Sequence, residues 1–148
     1  MRLSLQVQYA ICGAFDLAYN GHGGPVQVRV ISKRQEVPNR YLEQIFRRLR
    51  QAGIVTSKRG PGGGYTLARA AASISLREIV EAVEGPLAAT LQMEPGTRTK
   101  SYRPEFVWLG LAQELGVTLE HTTLATLCQR AEAAGVPRWD SDAPMYFI

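Results

Sequence analysis

The chain is poor in features that staple, anchor or metallate a protein. It has two cysteines in 148 residues, Cys12 and Cys128, so no disulfide framework can be drawn. That usage predicts reduced thiols in a cytoplasmic setting. No apolar run reaches the roughly 18–20 residues that cross a bilayer, so no membrane partner is expected. The opening residues Met1-Arg2-Leu3-Ser4-Leu5-Gln6-Val7-Gln8 lack the apolar core of a secretory signal. The only soft ligands are Cys12, Cys128, His22 and His121, and no pair has metal-ligand spacing. Neither cysteine has a His/Asp arrangement around it, so no enzyme is expected. Internal repeats and low-complexity segments are absent.

What is present is ordinary globular composition, with 45% hydrophobic and 20% charged residues, 14 glycines and 8 prolines. A chain of this length buries roughly 68–70% of its unfolded surface without help from a staple. That suffices for one domain, or for a small domain with a dimerisation arm.

Charge is unevenly spread. The formal net charge is +4. Residues 29–69 hold ten bases (Arg29, Lys33, Arg34, Arg40, Arg47, Arg48, Arg50, Lys58, Arg59, Arg69) against Glu36 and Glu43. The block therefore nets +8 and the rest of the chain −4. Such a block is either a solvated surface or the footprint of a polyanionic partner. Its coincidence with one structural unit favours the partner.

Ser4 is placed to cap a helix running to about Tyr19, with Val7, Ala10, Ile11, Ala14, Phe15 and Ala18 at helical spacing. Leu5, Tyr9, Cys12 and Leu17 widen its apolar surface, so it is central in the core or shared between subunits. Asn20-Gly21-His22-Gly23-Gly24-Pro25 breaks the chain. A short helix covers about Gln27 to Gln35 and closes at Val37-Pro38. The next runs from about Arg40 to Ala52, with Asn39 as N-cap and Gly53 at C′. Its dry stripe is Leu42, Ile45, Phe46, Leu49 and Ala52. Its wet face is Arg40, Tyr41, Glu43, Gln44, Arg47, Arg48, Arg50 and Gln51.

Ile54 to Lys58 and Tyr65 to Ala68 read as strands joined by Arg59-Gly60-Pro61-Gly62-Gly63-Gly64. Ser75-Leu76-Arg77-Glu78 is a capping box. It opens a helix with Leu76, Ile79, Val80 and Val83 inward, ended by Gly85-Pro86. Residues 86–103 carry no period and read as an exposed loop. Pro104 suits the first turn of a helix striped by Trp108, Leu111, Ala112, Leu115 and Leu119. Thr123 caps a last helix with Leu124, Leu127, Cys128 and Ala131 inward. The tail from Pro137 holds Trp139, Tyr146 and Phe147 and is expected to dock. The fold class is mainly α with a small β-hairpin: a winged helix-turn-helix plus a long C-terminal helix.

One helix fits the major groove. On it, Arg can bond guanine bidentately, Gln can bond adenine, and Glu can accept from the cytosine amino group. Lys58 and Arg59 stand beside a glycine turn that lets backbone approach a phosphate, and an arginine there can enter a minor groove. A nucleotide-binding loop fits poorly. Gly60-Pro61-Gly62-Gly63-Gly64-Tyr65 lacks the Lys-Ser/Thr ending of a P-loop, and no parallel βαβ pattern surrounds it. A winged helix that binds protein instead of DNA is the other alternative. Its wing need not carry so large a positive charge.

Three segments together resemble the IscR/NsrR/CymR family of bacterial winged-helix transcription regulators. They are Arg2-Leu3 opening the first helix, Tyr41-Leu42-Glu43-Gln44-Ile45-Phe46 with Arg47 and Leu49, and Arg59-Gly60-Pro61-Gly62-Gly63-Gly64-Tyr65. Ser75 to Gly85 also resembles the helix after the wing in that family. The resemblance implies a homodimer clasped by the helix from Pro104, packed beside the partner's first helix. It implies that the Arg40 helix enters the major groove of double-stranded DNA and that Arg59, with Lys58 and Gly60, reaches the minor groove. Glu43 and Gln44 match positions that help choose sequence in the iron–sulfur regulator, while Tyr41, Arg47 and Arg48 share that helix. Arg2 and Ser4 would lie near phosphates.

The chain departs from the family at one place. Cluster-binding members carry three cysteines in the loop after the fourth helix, whereas Gly85 to Glu105 here contains none. The expected protein is therefore a dimeric regulator, a repressor, with no cofactor and no metal. Control would come from a small-molecule or protein effector, or from simple abundance. The alternative is a cluster- or thiol-based sensor using unusual ligands. The expected division is 1–85 for DNA binding, 86–103 as the loop at the sensing position, and 104–148 for dimerisation and tail.

Overall fold

The computed structural model describes all residues except Met1, Gly23, Met93, Glu94, Arg98, Ser101 and 140–148. Helix α1 (Leu5–Asn20) is the central element, packed on four later helices. The Ser4 hydroxyl accepts the Val7 N–H, satisfying one donor that a helix start leaves open. Val7, Ala10, Ala14 and Leu17 are buried along α1. Gly13 lets a neighbouring helix come close: a Cβ there would lie 2.9 Å from Phe46 Cε2.

Helix α2 (Val28–Gln35) ends at Glu36, whose backbone is left-handed (φ 55°). Helix α3 (Asn39–Gln51) buries Leu42, Ile45, Phe46 and Leu49 of the predicted stripe, whereas Ala52, its last member, is exposed because the helix has already ended there and Ala52 is the C-cap. Its start differs from the expectation. Asn39 is the first helical residue and Pro38 the cap, whose carbonyl accepts the Tyr41 and Leu42 N–H groups. Its end agrees. The Gly53 N–H bonds to Arg50 O and the Ile54 N–H to Leu49 O, the paired closure that left-handed Gly53 permits.

Strands β1 (Val55–Lys58) and β2 (Gly64–Leu67) form an antiparallel hairpin with Val55 opposite Leu67 and Lys58 opposite Gly64. Its tip turns through Gly60-Pro61-Gly62-Gly63, with the Gly63 N–H on Gly60 O. Pro61 followed by Gly62 at φ 71° is the type II pattern. A third backbone segment joins the wing: Val26 and Tyr65 exchange two hydrogen bonds at 2.8 and 2.9 Å.

After a 3₁₀ turn (Ala71–Ser73) come α4 (Leu76–Glu84), α5 (Leu87–Thr90), α6 (Phe106–His121) and α7 (Leu124–Ala133). The capping box at Ser75 forms as expected, with Glu78 returning to the Ser75 N–H. Thr123 caps α7 through the Thr126 N–H. The segment read as an exposed loop instead begins with one helical turn, α5, whose Leu87 is buried, and the Glu81 carboxylate accepts the Leu87 N–H. Helix α6 begins after Glu105, later than the Pro104 reading placed it. Its stripe also differs: Ala112 and Gly116 are buried, while Leu111 and Leu115 are exposed together with Phe106, Leu109 and Val117. A helix apolar on nearly every side gives periodicity nothing to choose by. One hydrophobic cluster runs from Val7 through Leu87 and Ala112 to Leu124. Among the described residues no helix is long and apolar enough to cross a membrane.

Candidate nucleic-acid interface

Helix α3 and the wing share an anchor. Tyr65 of β2 packs its ring 4.9 Å from that of Phe46, whose side chain is the largest fully buried one. The dry stripe of α3 thus fixes both the helix and the hairpin, and leaves their polar faces outside. Arg40, Tyr41, Glu43, Gln44 and Arg47 are exposed on α3, and Lys58, Arg59 and Gly60 at the wing, with Gly60 left-handed (φ 88°). Arg2 is exposed just before α1. Among the described residues, none of Arg2, Arg40, Arg47, Lys58 and Arg59 has an ion-pair partner. Cations held without internal partners keep their full attraction for an external polyanion.

Other bases of the block are engaged inside the chain. Arg34 pairs with Asp16 at 3.1 Å, and Arg69 pairs with Glu78. Arg50 donates to the Ser57 hydroxyl. Arg48 donates to Gln6 Oε1 at 2.8 Å and to Val83 O at 2.9 Å, so it ties α3 to α1 and α4. Ser4 is similarly occupied, as N-cap and as donor to Glu84. The structure therefore brings together Arg40, Tyr41, Glu43, Gln44 and Arg47 as one free face and Lys58, Arg59 and Gly60 as another. Arg48 and Ser4 hold elements in place. Tyr41 lies 6.4 Å from the Tyr9 ring, at the edge of a shallow groove between α1 and α3 lined by Gln6, Tyr41, Gln44, Ile45 and Arg48.

Sequence reasoning missed a buried polar node behind this face. Asp16 is fully buried on α1 and accepts from Arg34 Nη1, from Gln35 Nε2 at 2.9 Å and from Asn20 Nδ2 at 3.2 Å. Burial pushes the Asp16 carboxyl above its ordinary range, against the opposing pull of Gln35, Arg34 and Asn20. The node reaches the C-terminal segment. Asn20 Oδ1 accepts the Trp139 N–H, Arg138 donates to Tyr19 O, and the Tyr19 hydroxyl donates to Val136 O. The expectation that the tail docks is met as far as Trp139; Tyr146 and Phe147 lie outside the described residues. The one available signal was a pair of polar residues, Asp16 and Asn20, one turn apart on the dry side of α1.

The donor set does not fit an iron–sulfur cluster held by three thiolates. Cys12 on α1 and Cys128 on α7 are half-buried, and burial raises both thiols, with Arg138 opposing at Cys128. Such thiols are protonated and poor ligands. His22 sits in the turn after α1 and His121 ends α6. Among the described residues no three His, Cys, Asp or Glu side chains converge on a point that could hold a metal.

Comparison with known proteins is consistent across sequence and structure. The profile of the Rrf2 family, described as an iron-dependent transcriptional regulator, matches residues 3–130. The HTH-type transcriptional regulator IscR of Escherichia coli is 38% identical over 138 residues, covering 92% of this chain and 85% of that protein. The structure of T. potens IscR superposes with a TM-score of 0.76 at 30% identity, over 94% of each chain. That of CymR, the global cysteine regulator of B. subtilis, gives 0.73 at 26% identity, over 88% of this chain and 98% of that one.

Proposed function

Because the chain belongs to the Rrf2 family of transcriptional regulators, and is no enzyme, we propose that it is a homodimeric, sequence-specific DNA-binding repressor that works without an iron–sulfur cluster. The observation that carries this reading is the set of unpaired cations on α3 and the wing, two elements fixed to one buried ring. Helix α3 would enter the major groove, with Arg40, Glu43, Gln44 and Arg47 facing base edges and phosphates. Lys58 and Arg59 would flank the adjacent minor groove, where Gly60 lets the backbone come close. Arg2 adds a phosphate contact at the start of α1. Ser4 and Arg48 would act indirectly, by holding α1 and α4 against α3.

The dimer would form through the exposed apolar residues of α6, Phe106, Leu109, Leu111, Leu115 and Val117, against the partner's α1. A two-fold pair of α3 helices reads a pseudo-palindrome with half-sites one or more helical turns apart, about 34–36 Å each. Without soft thiolates near residues 86–105, control falls to a small ligand or partner protein. It would act by favouring one spacing of the two α3 helices.

The test is selection from a random duplex library, followed by a salt titration. Five unpaired cations per protomer set a limiting slope of log K against log salt of about −9 for the dimer. A symmetric site with a steep slope is the expected result. No preference over random duplex, or a nearly flat slope, would favour the protein-binding alternative. Iron and sulfide analysis of anaerobically purified protein tests the cofactor: colourless protein that binds DNA as purified is expected.

A further inference from the structure

On the exposed face of α3 the only carboxylate, Glu43, stands between two guanidiniums one turn away on either side, Arg40 at i−3 and Arg47 at i+4. Both spacings allow an ion pair, and a Glu four residues before an Arg is the better of the two orientations. Neither pair forms: among the described residues Glu43 makes no salt bridge. Its partner is Asn39, whose Nδ2 donates to Glu43 Oε1 at 3.0 Å. A carboxylate only accepts, so the amide must present its N–H2. Asn39 is free for this because Pro38 occupies the cap position and the Asn39 side chain caps nothing.

We infer that Asn39 is a positioning residue that sets the base preference of α3 through Glu43. The inference rests on the reading of α3 as the helix that enters the groove. A neutral amide occupies one carboxylate oxygen and leaves Oε2 as an acceptor for an amino group on a base edge. It also leaves Arg40 and Arg47 unpaired for phosphates and guanine. Without the amide, Glu43 falls to Arg47 or Arg40. One base reader and one phosphate-binding cation are then lost together. Asn39 therefore governs both the sequence preference and the charge of the helix while needing no contact with DNA of its own.

The experiment compares binding of the wild-type dimer, Asn39→Ala, Asn39→Gln, Glu43→Ala and the double variant to operator duplexes carrying each base at every half-site position. Glu43→Ala is expected to relax one position by roughly five- to a hundredfold. Asn39→Ala is expected to relax the same position by roughly two- to fivefold, the scale of one exposed hydrogen bond exchanged for one exposed ion pair. It should also make the salt slope shallower, as Arg47 becomes paired. Asn39→Gln keeps the donor and should keep the preference. In the Glu43→Ala background, removing Asn39 should change nothing at that position. Alanine at the first helical position favours the helix, and unchanged circular dichroism separates a local effect from unfolding. The inference is overturned if Asn39→Ala keeps the wild-type preference while Glu43→Ala loses it. It is equally overturned if the Asn39 effect persists without Glu43, which would make Asn39 a reader itself. If Glu43→Ala leaves every position unchanged, the reading of Glu43 falls and this inference with it, while specific binding by the wild type would still uphold the regulator.

Discussion

Replacing Gly64 by alanine tests whether the wing is held from outside the hairpin. Gly64 opens β2 with φ 143°, a backbone that side chains rarely adopt. A Cβ there would lie 2.5 Å from both the carbonyl carbon and oxygen of Val26 and 2.9 Å from Gln27 N. All three atoms are backbone, so no rotamer can yield. The hairpin must move off Val26 and lose the two hydrogen bonds between Val26 and Tyr65. Two such bonds contribute roughly 1–3 kcal/mol, and the forced backbone conformation costs roughly another 1–3 kcal/mol. The expected loss is about 2–6 kcal/mol. At about 2–4 °C per kcal/mol for a chain of this size, the melting temperature should fall by roughly 4–24 °C. If the hairpin detaches locally, the same event appears as lost exchange protection of the Val26 and Tyr65 amides. Lys58 and Arg59 then leave the interface, and the dimer's salt slope should shrink by about 3.6 for four cations. Gly24→Ala is the control, since a Cβ there meets nothing within 4 Å and its φ is ordinary. Unfolding in urea, amide exchange and DNA titration give the three readouts. The reasoning fails if Gly64→Ala stays within about 1 kcal/mol of wild type with both amides protected.

Removing one wing cation, by Arg59→Ala, should weaken DNA binding across sequences and reduce the salt slope by about 1.8 per dimer; an unchanged slope would place Arg59 off the DNA. Leu109→Lys should leave the protomer folded, because Leu109 is 57% exposed, and should raise the dimer dissociation constant at least about a hundredfold, since two leucines leave the symmetric interface; sedimentation showing an intact dimer at micromolar concentration would refute the α6 interface. Asp16 titrates above its ordinary 3.8 in the folded chain, mainly through burial, so the folded state holds more protons than the unfolded one just above that pH. Its contribution to stability is therefore largest at low pH and is lost as pH rises through the folded value. The stability of Asp16→Asn relative to wild type should then improve from pH 4 towards neutrality, and urea unfolding that shows the opposite trend would refute the shift.

Much of the fold was legible because its signals are local. The Gly53 closure, the Ser75 capping box and the glycine turn each complete themselves within four to six residues, the α3 stripe lies within one helix, and each appears in the structure apart from Ala52 of the stripe. Failures occurred where the deciding partner is distant, or where two local arrangements compete. Nothing near Val26 announces that it pairs with Tyr65, 39 positions later. Asn39 has the composition of an N-cap, but the carbonyl of Pro38 already closes the first turn, and the side chain turns to Glu43 instead. In α6 the buried positions are the small ones, Ala112 and Gly116. Arg77 and Leu87 approach Gly116, where a Cβ would lie 3.3 Å from Arg77 Nη1 and 3.7 Å from Leu87 Cδ1.

The candidate site was legible in part for the same reason. Counting bases located the polyanion-facing region but could not say which bases face outward. Arg47 and Arg48 are chemically identical neighbours, yet about 100° of helical rotation separates them. Arg47 has no ion-pair partner among the described residues, while Arg48 closes onto Gln6 and the Val83 carbonyl. Arg34 is turned inward by a carboxylate on another helix, and Arg69, though exposed, is paired with one on α4. The positive face is thus smaller than the +8 of the block. It consists of the cations for which the fold supplies no internal partner, whether a carboxylate or a neutral acceptor. That criterion depends on the acids of α1 and α4 as much as on the bases of α3, so it can be applied only once the helices are packed.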